Sequence, residues 1–217
     1  MNKLERVNYI SNTLNELYPS PPIPLNHDSI FTLLIAVILS AQCTDKRVNK
    51  ISPKLFAKAK TPKEMSSFGR HNIQKIIKPC GLAPKKSQAI YQLSKILLKD
   101  FSGEVPESFK ALESLPGVGH KTASVVMGQG FKHPTFPVDT HVHRLAQRWK
   151  LSNGISVQKT EKDLKQAFPV SEWNRLHIQF ILYGREYCKA RECFGIGCRI
   201  CKNCYPKRRK PIKTKKA

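Results

Sequence analysis

The stretch ALESLPGVGHKTASVVMGQGFKHPTFPVDTHVHRL, residues 111–145, decides the fold. It reads as a short helix, a turn containing Pro116, Gly117 and Gly119, and a second helix with Lys121 in its first turn. A helix N-terminus behind a glycine turn is an anion site, and in this chain the expected anion is a nucleic-acid phosphate. Leu115, Gly117 and Gly119 are therefore candidate DNA-binding positions, and Lys121 would stand beside the bound strand. A lysine there is also a candidate nucleophile, because the neutral amine attacks electrophilic carbon. Farther along, Asp139 sits just before the segment THVHRL, where a helix N-cap belongs. A carboxylate near the lysine would accept a proton or stabilise positive charge growing on a sugar ring.

Charge agrees with a polyanionic partner. The chain has 38 Lys and Arg against 15 Asp and Glu, a net charge of +23. The segment after Cys204, YPKRRKPIKTKKA, carries seven of these cations and no acid, yet the remainder is still strongly basic. Residues 205–217 are expected to be a disordered, solvated tail. The strongest apolar run, IFTLLIAVIL at 30–39, is too short to span a bilayer, and the polar start MNKLERVNYI lacks the apolar centre of a signal peptide. The reading is a cytoplasmic, monomeric protein that meets the nucleoid through DNA, with no membrane partner.

Helical spacing recurs at 4–17, 30–39, 48–59, 86–98, 121–130, 142–149 and 173–187, with proline- and glycine-bearing joints between. Strand alternation is scarce. Prolines 19, 21, 22 and 24 form one break and Pro134 with Pro137 another, marking two domain crossings. The expected organisation is one lobe over 23–133, containing the hairpin, and a second lobe from 1–22 and 134–204. His141 and His143, two residues apart, suit neither one helix face nor a helical metal pair, and read as local packing or phosphate contacts.

LPGVGHKTA followed by PVDTHV resembles the helix-hairpin-helix, Gly/Pro-rich signature of the DNA glycosylase superfamily, and within it the endonuclease III family. The resemblance extends to LSAQCTDKRVN at 39–49, GEVPESFKALESLPGVG at 103–119 and the cysteines near the end. It implies an all-α, two-lobed helix-hairpin-helix glycosylase fold, a six-helix lobe plus an iron-sulfur cluster lobe with a cleft between them. It implies base-excision repair: a bifunctional glycosylase and lyase acting on duplex DNA with damaged pyrimidines or abasic sites. Lys121 would form a Schiff base at C1′, Asp139 would assist, and β-elimination would cut the strand. Gln42 and Leu82 match residues that fill the space left by the extruded base; by themselves they read as ordinary surface or core positions. Adenine-mismatch glycosylases lack the nucleophilic lysine, which sets Lys121 against that alternative.

Five of seven cysteines fall in CKARECFGIGCRICKNC, residues 188–204. Soft thiolates at two-residue spacings suit zinc or an iron-sulfur cluster, and Cys198, Cys201 and Cys204 have the C-x2-C-x2-C spacing of ferredoxin-like clusters. The resemblance implies a 4Fe-4S cluster, with zinc as the alternative. The family's C-x6-C-x2-C-x5-C pattern, laid from Cys188, puts Cys198 and Cys204 in register but meets Gly195 at its second position. Either Cys201 or Cys193 must replace that ligand; the expected set is Cys188, Cys198, Cys201 and Cys204.

Overall fold

In the computed structural model, which describes residues 1–217, every regular element is a helix. α1 (Lys3–Leu17) opens on a capping box, the Asn2 side chain accepting from the Glu5 amide while the Glu5 carboxylate takes the Asn2 amide. The proline-rich stretch then ends the helix. The chain divides into two compact units, Ile23–His133 and Met1–Pro22 with Pro134–Ala217.

The Ile23–His133 unit centres on α2 (Ile30–Ser40), whose sequence is apolar on every side. Such a helix must be surrounded, and residues 31–39 are all buried. Side chains from α3 (Asp45–Phe56), α4 (Pro62–Phe68), α5 (Arg70–Ile77), α6 (Ala83–Asp100), α7 (Phe109–Ser114) and α8 (His120–Val125) join it in one core. α8 runs on through a π-turn, Val126–Gly130. This unit has seven α-helices where six were expected, because Gly69, at φ +82°, turns the chain between α4 and α5.

The other unit joins α1 to α9 (Thr140–Arg148), α10 (Val157–Ala167), α11 (Trp173–Glu186) and α12 (Arg199–Cys204). Its core is aromatic. Trp149 and Phe136 meet Phe180 edge-on, at centroid distances of 4.9 and 5.8 Å. α9 crosses α11 closely at Gly184, where an added Cβ would lie 2.7 Å from Leu145 Cδ1. No helix is long and apolar enough to cross a membrane.

The segment after Cys204 departs from the expected loose tail. It has no regular structure after α12, yet it is bonded along its length to the unit that carries it. The Ile212 amide donates to Phe194 O at 2.9 Å, and Arg208 Nη1 donates to Arg148 O and Gly195 O, both at 2.8 Å. Lys215 and Gln147 exchange two hydrogen bonds, of 2.7 and 3.1 Å. Its carbonyls and amides thus find partners despite the dense positive charge, and the Arg208 guanidinium stacks 3.7 Å from the Tyr205 ring centroid.

Candidate functional site

The hairpin is built as its sequence suggests. Ser108 caps α7, and the Val118 amide closes the turn onto Leu115 O at 3.1 Å. Gly117 has φ +80°, and a Cβ there would lie 2.8 Å from Ala89 Cβ on α6, so both backbone and packing require glycine. Gly119 differs: its φ is −98°, which any residue adopts, and a Cβ would meet nothing within 4 Å. Its smallness leaves open space where α8 begins, and no side chain caps that end. Leu115 is 2% exposed and belongs to the core, so only its main chain is offered to a ligand. Lys121 lies in the first turn of α8, exposed. His120 ties the two helices together, its Nδ1 2.8 Å from the Glu113 carboxylate and its ring stacked on Phe109.

Asp139 is the N-cap of α9, its Oδ1 accepting from the Val142 amide at 2.8 Å. The next turn is polar on one side: Arg144 Nη2 donates to His141 Nδ1 at 3.2 Å, and burial pulls the His141 pKa below the usual value while the Asp139 charge opposes. His143 is a buried packing residue, bonded through Nδ1 to Thr160 Oγ1 at 2.9 Å. Gln42 and Leu82 are both exposed, Leu82 by 47%, and both take positive φ, +55° and +51°. Neither is glycine, so each turn holds its residue in an uncommon conformation.

At the far end of α9 two buried arginines grip the cysteine loop. Arg148 donates to the carbonyls of Lys189 and Ala190 at 2.8 and 2.9 Å and to Cys188 Sγ at 3.4 Å; Arg144 donates to Cys188 O at 3.1 Å. Four buried thiols converge there: Cys188, Cys193, Cys198 and Cys201, with every Sγ within 4.8 Å of the others. This group differs from the expected set: it takes in Cys193 and leaves Cys204 outside. Phe194 and Gly195, at φ +49° and +81°, reverse the chain and return Cys193 so that the Cys198 amide donates to its sulfur at 3.4 Å. Gly195, the position where the family's spacing calls for a ligand, is the turn residue itself. Cys204 ends α12, buried apart from the four, and burial pushes its thiol up to about 11. Four soft sulfur donors at these separations, receiving hydrogen bonds from a guanidinium and an amide, can hold a thiophilic metal.

Lys86, Arg144 and Arg148 were not singled out by sequence reasoning. Nothing in a single sequence separates three interior cations from 35 others; the only local signal was that Arg144 and Arg148 follow the Asp139 cap at helical spacing.

Residues 35–170 match the HhH-GPD superfamily of base excision DNA repair proteins. The chain is 43% identical over 192 residues to endonuclease III of Haemophilus influenzae and to that of Escherichia coli, covering 88% of this chain and 90% of each relative. It superposes with a TM-score of 0.86 on a trapped covalent endonuclease III–DNA intermediate, at 36% identity, over 94% of this chain and 99% of that one. Likeness at this level of identity, over nearly the whole length of each relative, means that the chain belongs to the endonuclease III family of the HhH-GPD superfamily.

Proposed function

We propose that this chain removes oxidised pyrimidines from duplex DNA and then nicks the strand 3′ to the resulting abasic site, with Lys121 as nucleophile. The observation that carries the reading is an exposed lysine in the first turn of α8, behind the Gly117 hairpin, in a member of the endonuclease III family. In this reaction Lys121 Nζ attacks C1′ and the N-glycosidic electron pair leaves with the base, which takes a proton. Opening of the sugar at O4′ leaves a protonated imine between Nζ and C1′. Loss of a C2′ proton then expels the 3′ phosphate oxygen with its bonding pair.

Asp139 is the proposed electrostatic partner. Val142 holds one carboxylate oxygen, which fixes the side chain while positive charge grows on the sugar. The open start of α8 and the Gly117 turn would take strand phosphates, and Gln42 and Leu82 would occupy the space vacated by the base. Such work on DNA would bring the protein to the nucleoid. Borohydride should trap the chain on duplexes bearing thymine glycol or an abasic site, and Lys121→Ala should remove the trapped species; equal trapping by that variant rejects the assignment.

For the four thiolates we propose a 4Fe-4S cluster on the family's pattern, serving to pin the loop that carries Lys189, Arg191, Arg199 and Lys202 to phosphates. Sulfur separations all within 4.8 Å support a second reading, a single zinc ion. Cys188–Cys193, Cys188–Cys201 and Cys193–Cys201 stand at 3.4, 3.9 and 3.9 Å. A single zinc ion with Zn–S bonds of about 2.3 Å sets its tetrahedral sulfurs about 3.8 Å apart. Elemental analysis with a visible absorption spectrum separates iron from zinc.

A further inference from the structure

Lys86, in the first turn of α6, is the one buried lysine of the chain, 5% exposed. Its ammonium donates three hydrogen bonds, all to main-chain carbonyls: Leu39 O at 2.8 Å, Ala41 O at 2.7 Å and Cys80 O at 3.0 Å. An ammonium has three N–H donors, so all are used, and the charge rests on carbonyl dipoles with no carboxylate bonded to it. Burial pulls its pKa below the usual lysine value, and the thiols of Cys43 and Cys80 oppose that shift.

The partners lie on two separate turns. Leu39 and Ala41 close α2, where unpaired carbonyls gather partial negative charge, and Ala41 immediately precedes Gln42. Cys80 lies two residues before Leu82. Capping α2 would need only the first two bonds; the third crosses to the other turn. Each tip residue has positive φ without being glycine, a conformation that persists only where surrounding structure holds it. One ammonium therefore ties together the backbones behind both strained tips.

We propose that Lys86 is the positioning residue that sets Gln42 and Leu82 jointly in place to enter the duplex as the damaged base leaves. The proposal rests on reading those two side chains as the ones that fill the vacated space. Lys86 touches neither substrate nor reacting atoms; it acts through the geometry of the two turns. A lysine suits this task better than an arginine, whose planar fork cannot direct three donors to carbonyls arranged around a point.

The test compares two rates: excision of thymine glycol from duplex DNA, where a base must be extruded, and borohydride trapping on a single-stranded abasic oligonucleotide, where none must. Lys86→Met should lower the ratio of the first to the second by about tenfold or more, and it should add little to that loss in a Gln42→Ala/Leu82→Ala background, because coupled residues are not additive. An unchanged ratio, or the same further loss in the background lacking both tip side chains, overturns the proposal. If Gln42→Ala/Leu82→Ala itself excises like the unaltered protein, the space-filling reading is what fails, and the proposal falls with it. Should Lys86→Met not fold, Lys86→Gln, which keeps two donors on a shorter stem, carries the same comparison.

Discussion

The Asp139 side chain caps α9 through Oδ1, so its structural and chemical duties separate by substitution. Asparagine caps a helix about as well as aspartate but carries no charge. Asp139→Asn should therefore keep its thermal stability and duplex binding while losing base excision by about 10²-fold or more. Asp139→Ala should lose the same activity and about 1 kcal/mol of stability besides. Excision rates and melting curves measured side by side check both, and unchanged turnover in Asp139→Asn would return the residue to a plain cap. Lys121 and Asp139 could be picked out because each sits at a helix start that glycine or proline announces. Leu115 was readable only as part of the motif; that its side chain belongs to the core is a matter of what packs around it.

Among elements, α9 and α10 hold the surroundings of the cap and the metal site. Asp163 on α10 is drawn two ways: burial raises its pKa, but the Ser152 hydroxyl at 2.6 Å and the Lys159 ammonium lower it more, and the net shift is downward. A carboxyl depressed on folding contributes stability above its unfolded pKa and loses it as pH falls through the folded value. The gap in melting temperature between the unaltered chain and Asp163→Asn should thus be full at neutral pH and shrink as pH falls below the ordinary aspartate range. A gap independent of pH would show that the pair contributes nothing through charge. In the cysteine loop, Cys193→Ser should cut bound metal per chain sharply and Cys204→Ser should leave it near the unaltered level, as read by elemental analysis. The opposite pattern would restore the spacing-based ligand set. Cys204 entered the expected set because it falls in register with the family's spacing laid from Cys188; in the structure the chain reverses at Phe194 and Gly195, and Cys193 is the thiol that lies with Cys188, Cys198 and Cys201.

For the whole molecule the governing quantity is net charge. At +23, duplex affinity should fall steeply as salt rises, since each phosphate contact releases counterions, by about 10³-fold or more between 50 and 200 mM if some six phosphates are engaged. Affinity measured across that range checks it, and a flat response would remove the charge argument. Residues 205–217 enter differently from the way their composition suggests. Deleting them removes seven cations and also the bonds from Arg208, Ile212 and Lys215 to the cysteine loop and α9.

By itself the sequence determined the helical class, the glycine hairpin, the capping role of Asp139, the family and the cysteine cluster. These rest on short-range causes: helical spacing, backbone freedom at glycine, cap chemistry and thiolate softness act over a few residues and are written locally. Only the tertiary structure decided which four of the five clustered cysteines converge, that the basic end is strapped down, and that Lys86 joins two turns nearly forty residues apart in sequence. Those depend on which distant carbonyls and sulfurs are brought within hydrogen-bonding reach. A charged residue looks the same in the sequence whether it ends in solvent or in the interior, and packing alone makes the difference.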